Sequence, residues 1–319
     1  MAKKAATTGG PRAGESSKRK AATAADLVRG SAKRLVEAGV VFAHGTTDPV
    51  AEAAFIVGET LGVHPDEFGA IARKPVGAEQ AGRIEQLIAA RIATRKPAAY
   101  LLNKIYMRGV PFYVDERAIV PRSYLGEVLD AFFADGNEAL MASGKIGRVL
   151  DLCTGSGCLA ILAALTFPQA RIDAVDLSAD ALAVARKNVE LHGMGDRVKL
   201  CQGDLYGPLG DARYDLIISN PPYVDAEGMA GLPAECRFEP AMAFDGGRDG
   251  LDLVRRILDG AGQRLAPGGG LLCEIGRCRP ALEKAYPTTP FLWLDSEESE
   301  GEVFWLAAGE LDRNVEGEA

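Results

Sequence analysis

Residues 149–165, VLDLCTGSGCLAILAAL, run from an apolar strand-like stretch through a glycine-rich turn into an apolar helix-like stretch. Gly155 and Gly157 permit a sharp turn and a close approach of the backbone to a ligand, and Asp151 stands at the end of the strand. Two glycines alone say little. Asp176 adds weight, because it ends the next apolar run 21 residues after Gly155, where a carboxylate can accept hydrogen bonds from both ribose hydroxyls of a nucleoside.

Outward from this unit the same alternation continues. Strand-like runs RVLDLC, RIDAVDL, VKLCQGD, YDLIISN, GGLLCEIG, FLWLD and EVFWLAA are separated by helical stretches from about residue 125 onward. That pattern predicts an α/β fold with a doubly wound, mostly parallel sheet, whose ligands bind beyond the carboxyl ends of the strands. Trp293 and Trp305 fall in the last two runs and are expected in the core.

Before the sheet the composition turns helical. TAADLVRGSAKRLVEAG has Thr23 as a cap and Gly39 as a stop, DPVAEAAFIVGETLG opens on Asp48 and Pro49, and AEQAGRIEQLIAARIATRK ends before Pro97. These predict a small helical bundle over 23–102. KIYMRGVPFYVDERAIVPR then predicts a hairpin connector over 103–124, turning at Gly109 to Pro111. The expected division is completed by a basic disordered leader at 1–22, a catalytic domain at 125–308 and an acidic tail at 309–319.

Composition limits the choices. The first 20 residues carry six Lys or Arg against one Glu, about +5, which leaves about −13 of the total charge of −8 on the rest of the 319-residue chain. An acidic body weighs against a broad nucleic-acid-binding face, so direct nucleic-acid binding is not required. No run reaches the roughly 18 to 20 apolar residues of a membrane helix, and the N-terminus lacks the apolar middle of a secretory signal, so a cytoplasmic location is expected. The six cysteines and three histidines have no zinc-ligand spacing, so no metal site is read and the thiols are expected to be reduced and mostly buried.

A nicotinamide-binding turn normally has a third glycine, where this chain has Cys158 and Leu159. The D-x-x-T-G-S-G form, with Asp176 on the second strand and GD at Gly203 and Asp204 after the third, resembles class I S-adenosyl-L-methionine-dependent methyltransferases. The resemblance implies a Rossmann-like sheet with one antiparallel strand near its end. It also implies a cofactor site at Asp151, Cys153, Thr154, Gly155, Ser156 and Gly157. Asp176 would hold the ribose, Asp204 and Leu205 would lie near the adenine, and Asn220 would stand by the methyl group.

The fourth run ends in NPPY, Asn220 to Tyr223. Prolines stop strands, so a stiff turn explains the residues, as does a rigid arm that meets a substrate. The tetrapeptide resembles that of methyltransferases acting on conjugated nitrogens, either adenine amino groups or glutamine amides. In that resemblance the Asn220 side-chain oxygen and the Pro221 carbonyl accept the two N–H hydrogens. Pro222 keeps the backbone stiff, and Tyr223 packs against the flat target.

The helical domain and hairpin precede the sheet in the order of the protein-glutamine methyltransferases, a resemblance that spans about residues 24 to 308. Within that family VPRSYLGEVL, with Ser123 and Gly126 where the release-factor branch has a proline and an acid, resembles the branch acting on ribosomal protein L-three. AHGTTDP at 43–49 agrees. That branch implies ribosomal protein L-three, free or in a ribosome-assembly intermediate, as the partner. Release-factor methylation, adenine methylation and a non-catalytic donor-binding module are the alternatives. Glu239, Pro240 and Glu274 match family positions near the site, and fit a loop anchor and a strand-end carboxylate equally well.

Overall fold

The computed structural model describes residues 21–133, 140, 146–296 and 299–311, so the expected acidic tail from residue 312 onward and all but the end of the basic leader lie outside the described residues, while 309–311 belong to a short helical turn in which Leu311 is buried. Helix Ala24–Glu37 begins at Thr23, whose hydroxyl and the Asp26 carboxylate cap each other's backbone N–H groups. Helix Pro49–Leu61 begins at Asp48 and stops at Gly62 in the left-handed conformation, and helix Ala78–Thr94 follows. Their apolar faces meet in one cluster that includes Leu35, Ile56, Ile84 and Ile88.

The hairpin pairs β1 (Ile105–Met107) with β2 (Val110–Phe112). Its turn is Arg108 and Gly109, φ 51° and 74°, rather than the expected Gly109 to Pro111. Two positive φ values match the twist of a two-residue hairpin, and Pro111 sits within β2 opposite Tyr106, on a two-stranded sheet that leaves edges for it.

The main sheet contains β3 (Arg148–Leu152), β4 (Arg171–Asp176), β5 (Val198–Gln202), β6 (Tyr214–Ser219), β7 (Leu265–Glu274), β8 (Leu292–Leu294) and β9 (Val303–Ala307) in the order β5-β4-β3-β6-β7-β9-β8. β3 to β7 are parallel, while β9 runs antiparallel to both β7 and β8. The order reverses between β3 and β6, so Asp151 and Asn220 end adjacent strands at the switch point where a crevice must open. Two apolar layers cover the sheet, one around Val149, Ile161 and Leu216 and the other around Leu150, Ile217 and Ile257. Trp305 is in the first layer as expected, whereas Trp293 is half-buried against Phe304 with the Arg279 guanidinium over its ring. Among the described residues no helix is long and apolar enough to cross a membrane.

Candidate active site

Cys153, Gly155 and Gly157 take positive φ values of 59°, 57° and 80°, which bend the chain from β3 into helix Cys158–Thr166. Asp151 is buried beneath this turn and accepts the Thr154 hydroxyl at 2.5 Å. Burial pushes its carboxyl up to about 7. A Cβ on Gly157 would lie 3.1 Å from that of Ala185, so the glycine lets the turn settle on the next helix. From that helix, buried Asn188 donates to the Ser156 carbonyl at 2.8 Å and exchanges two hydrogen bonds with the Tyr113 backbone.

The turn forms one wall of a cleft with Asp176, Leu177, Asp204, Leu205, Asn220 and Pro222. Of the expected cofactor residues, Cys153, Gly155, Asp176, Asp204, Leu205 and Asn220 line it, while Asp151, Thr154, Ser156 and Gly157 form the layer behind. They shape the turn from behind. Each Asp176 oxygen accepts one backbone N–H, from Gly155 and from Ser178, both at 2.8 Å, and keeps a lone pair for the cleft. Burial raises its pKa. A methyl group added at Gly155 would meet no protein atom within 4 Å, so there is open room beside the backbone. Leu177 is 57% exposed and Met242 49%, two large apolar side chains in the walls of a concave site. A strand-end carboxylate, Asp176, beside the apolar faces of Leu177 and Met242 fits an adenosyl group.

Sequence reasoning missed the other wall. Arg256, from helix Asp252–Arg264, lines the cleft and pairs with Asp204 at 2.7 Å, and Arg117, Ala118 and Ile119 enter from the connector. An exposed leucine directly after the strand-end acid was a usable signal; nothing local marked Arg256.

The connector after β2 is fastened by a series of buried groups. The Tyr100 hydroxyl donates to the Ala118 carbonyl at 2.6 Å. Glu239 accepts from Val120 N, from both terminal nitrogens of Arg122 and lies 2.9 Å from His44 Nε2. Burial would raise its pKa, but the His44 hydrogen bond and the Arg122 charge outweigh burial and hold it below the ordinary carboxylate value. Glu274, at the end of β7, accepts from the Ser123 hydroxyl at 2.6 Å, Tyr124 N at 2.9 Å and the Tyr223 hydroxyl at 2.9 Å. Burial pushes its carboxyl up to about 7. Both glutamates therefore anchor the loop.

This fastening fixes the NPPY arm. Asn220 Nδ2 donates to the Arg122 carbonyl at 3.2 Å, which leaves the amide oxygen as the acceptor at the cleft wall. Pro221 is buried and Pro222 lines the cleft. Tyr223 departs from the expectation that it packs on a flat target. Its hydroxyl is held by Glu274 and its ring lies against Gly276, where a Cβ would approach to 2.6 Å; it does not line the cleft.

The trio His44, Cys236 and Glu239 brings three possible metal-ligand atoms within 4.8 Å of one another. The Glu239 carboxylate is already satisfied by its donors, and the adjacent Arg122 guanidinium disfavours a second cation. All six cysteines are free thiols, five buried and Cys153 half-buried, and burial pushes the Cys153 and Cys158 thiols up, away from nucleophilic use.

Two family models match the chain: the methyltransferase small domain over residues 134–234 and the PrmC N-terminal domain over 26–102. A ribosomal protein uL3 glutamine methyltransferase of Bradyrhizobium diazoefficiens is 62% identical over 91% of this chain and 92% of its own. One of the same name from Burkholderia pseudomallei is 46% identical over 91% and 95%. A crystallised methyltransferase from Pyrococcus furiosus, 18% identical, superposes over 68% of this chain and 94% of its own with a TM-score of 0.43.

Proposed function

This chain belongs to the family of ribosomal protein uL3 glutamine methyltransferases, and from that premise we propose that it methylates the side-chain amide nitrogen of a glutamine in uL3, the large-subunit protein L-three, with S-adenosyl-L-methionine as donor. The observation that carries this reading is the orientation of Asn220, whose amide oxygen is left free to accept at the cleft wall because its nitrogen is committed to the Arg122 carbonyl.

An amide nitrogen is a poor nucleophile because its lone pair is delocalised into the carbonyl. Asn220 Oδ1 and the Pro221 carbonyl accept its two N–H hydrogens, which stabilises the positive charge that grows on nitrogen during attack. Prolines suit the arm, since a fixed φ and a missing N–H hold the carbonyl in one direction. S-adenosyl-L-methionine supplies a methyl group already activated on a sulfonium. Asp176 would hold the ribose hydroxyls, while Leu177, Asp204 and Leu205 would border the base and the 153–157 turn the methionine portion. The methylated nitrogen is acidic enough to lose its proton to water, so no general base is required. Alignment of nitrogen and methyl supplies much of the acceleration. Tyr223, through Glu274, acts as a positioning residue.

Residues 23–102 serve as the reader of the substrate protein, 103–124 as the connector and 125–308 as the catalytic domain. A ribosomal-protein substrate supports a cytoplasmic site of action.

The test is to incubate the full chain with labelled donor and either unmethylated uL3 or unmethylated release factor. Mass spectrometry should find one methyl group on a uL3 glutamine. Label on the release factor alone would overturn the branch, and label on neither would overturn the protein-substrate reading.

A further inference from the structure

At the opposite end of the sheet from the cofactor cleft, the starts of β3 to β6 surround a second hollow, lined by Arg148, Arg171, Arg197, Lys199, Asp173 and Tyr214 among others. Arg148 and Arg171 are register partners on adjacent parallel strands, and Lys199 is the partner of Asp173 on the next. Arg197 precedes Val198, the partner of Ile172, and its carbonyl accepts from Ile172 N at 2.8 Å. Four cations thus gather at the starts of three neighbouring strands.

Like charges facing each other across strands destabilise a sheet, so this arrangement needs compensation. It is only partly supplied. Asp173 takes Arg148 at 3.2 Å and the Tyr214 hydroxyl at 2.9 Å, while Arg197 is held by the carbonyls of Phe167 and Ala170. The side chains of Arg171 and Lys199 are exposed and have no hydrogen-bond or ion-pair partner among the described residues. Asp196 is the other acid of the lining, so four cations face two carboxylates on a body that is otherwise acidic.

Three strands at about 4.8 Å spacing spread the cations over about 10 Å, wider than a single anion and suited to successive phosphates of a nucleic-acid backbone. We propose that this groove binds an RNA phosphate backbone, carried by the particle into which the substrate protein assembles, and so holds the enzyme beside its target. The choice of RNA rests on uL3 being the substrate. The groove lies away from the cleft, so binding there leaves the reacting residues unobstructed.

The test uses the full chain and a fluorescent single-stranded RNA oligonucleotide, with anisotropy measured over a salt series. Wild type should bind with an affinity that falls as salt rises. The double variant Arg171→Glu/Lys199→Glu should bind on the order of tenfold more weakly, with a log–log salt slope smaller by about 0.7 for each phosphate that is no longer neutralised. It should still methylate free uL3 at the wild-type rate. Unchanged RNA affinity in this variant overturns the proposal, as does loss of binding only on Lys18→Gln/Arg19→Gln/Lys20→Gln in the basic leader. Equal affinity for a polyglutamate peptide overturns the assignment to RNA. A wild type that binds RNA through the groove but never methylates uL3 would count against the functional reading, and the two failures are therefore separable.

Discussion

Asn220 and Arg122, 98 residues apart, are joined by a hydrogen bond from the Asn220 side-chain nitrogen to the Arg122 backbone carbonyl. This bond decides which end of the amide meets a substrate. In Asn220→Ala the acceptor disappears while the turn and Asp176 remain. Donor affinity should stay within a few-fold of wild type, and transfer should fall by about 10²–10³. Calorimetric donor binding and labelled transfer, measured on one preparation, check the split; a variant that still transfers at the wild-type rate refutes the role.

Asp176 makes the opposite prediction. Its two backbone bonds shape the turn and its remaining lone pairs face the cleft. Asp176→Ala should weaken donor binding by about 10- to 100-fold, the equivalent of about 1.5–3 kcal/mol for hydrogen bonds to a charged group. Saturating donor should restore much of the transfer rate. Titration of the rate against donor concentration reads this directly.

Glu239 ties Val120, Arg122 and His44 to the loop that follows NPPY. Glu239→Ala leaves the buried His44, the buried Val120 N–H and the half-buried Arg122 guanidinium without their shared acceptor, and should cost about 3–5 kcal/mol of stability. Urea unfolding followed by circular dichroism measures it. A loss below about 1 kcal/mol would show that the network is not an anchor.

Glu274 gives a pH dependence with a definite sign. Its folded pKa is raised to about 7, above the unfolded value near 4.5. Between these values the unfolded chain has released the proton and the folded chain retains it, so stability is full below the unfolded pKa and falls as pH rises toward 7. Asp151, also raised to about 7, adds in the same direction. Glu239, held low, contributes stability that is lost only as pH falls below the carboxylate range. Urea midpoints at pH 5 and pH 7.5 should therefore differ less in Glu274→Gln than in wild type; an equal difference would remove Glu274 from the account.

Much of the fold was legible because its signals are local. Thr23, Asp48 and Gly62 mark helix ends through bonds or φ values within a few residues, and near-continuous apolar runs mark strands buried on both faces. The insertion of β9 between β7 and β8 was not legible in this way, since strand order depends on partners that a run's own residues do not name. Ser123 and Gly126, which suggested the branch from sequence, have physical counterparts. Ser123 bonds Glu274, and a Cβ on Gly126 would lie 3.1 Å from Leu162 and Arg108 atoms, too close for a larger residue without movement.

By itself the sequence determined the turn at Gly155 and Gly157, the acids ending β4 and following β5, and the proline arm after Asn220, because glycine freedom, proline rigidity and strand periodicity act over a few bonds. Only the tertiary structure decided that Asp151 lies behind the cleft, that Tyr223 serves Glu274, that Arg256 completes the wall, and that Arg122 orients Asn220. Those roles arise from hydrogen bonds and ion pairs between residues distant in the chain. His44 and Glu239, 195 residues apart, are 2.9 Å apart in the folded chain.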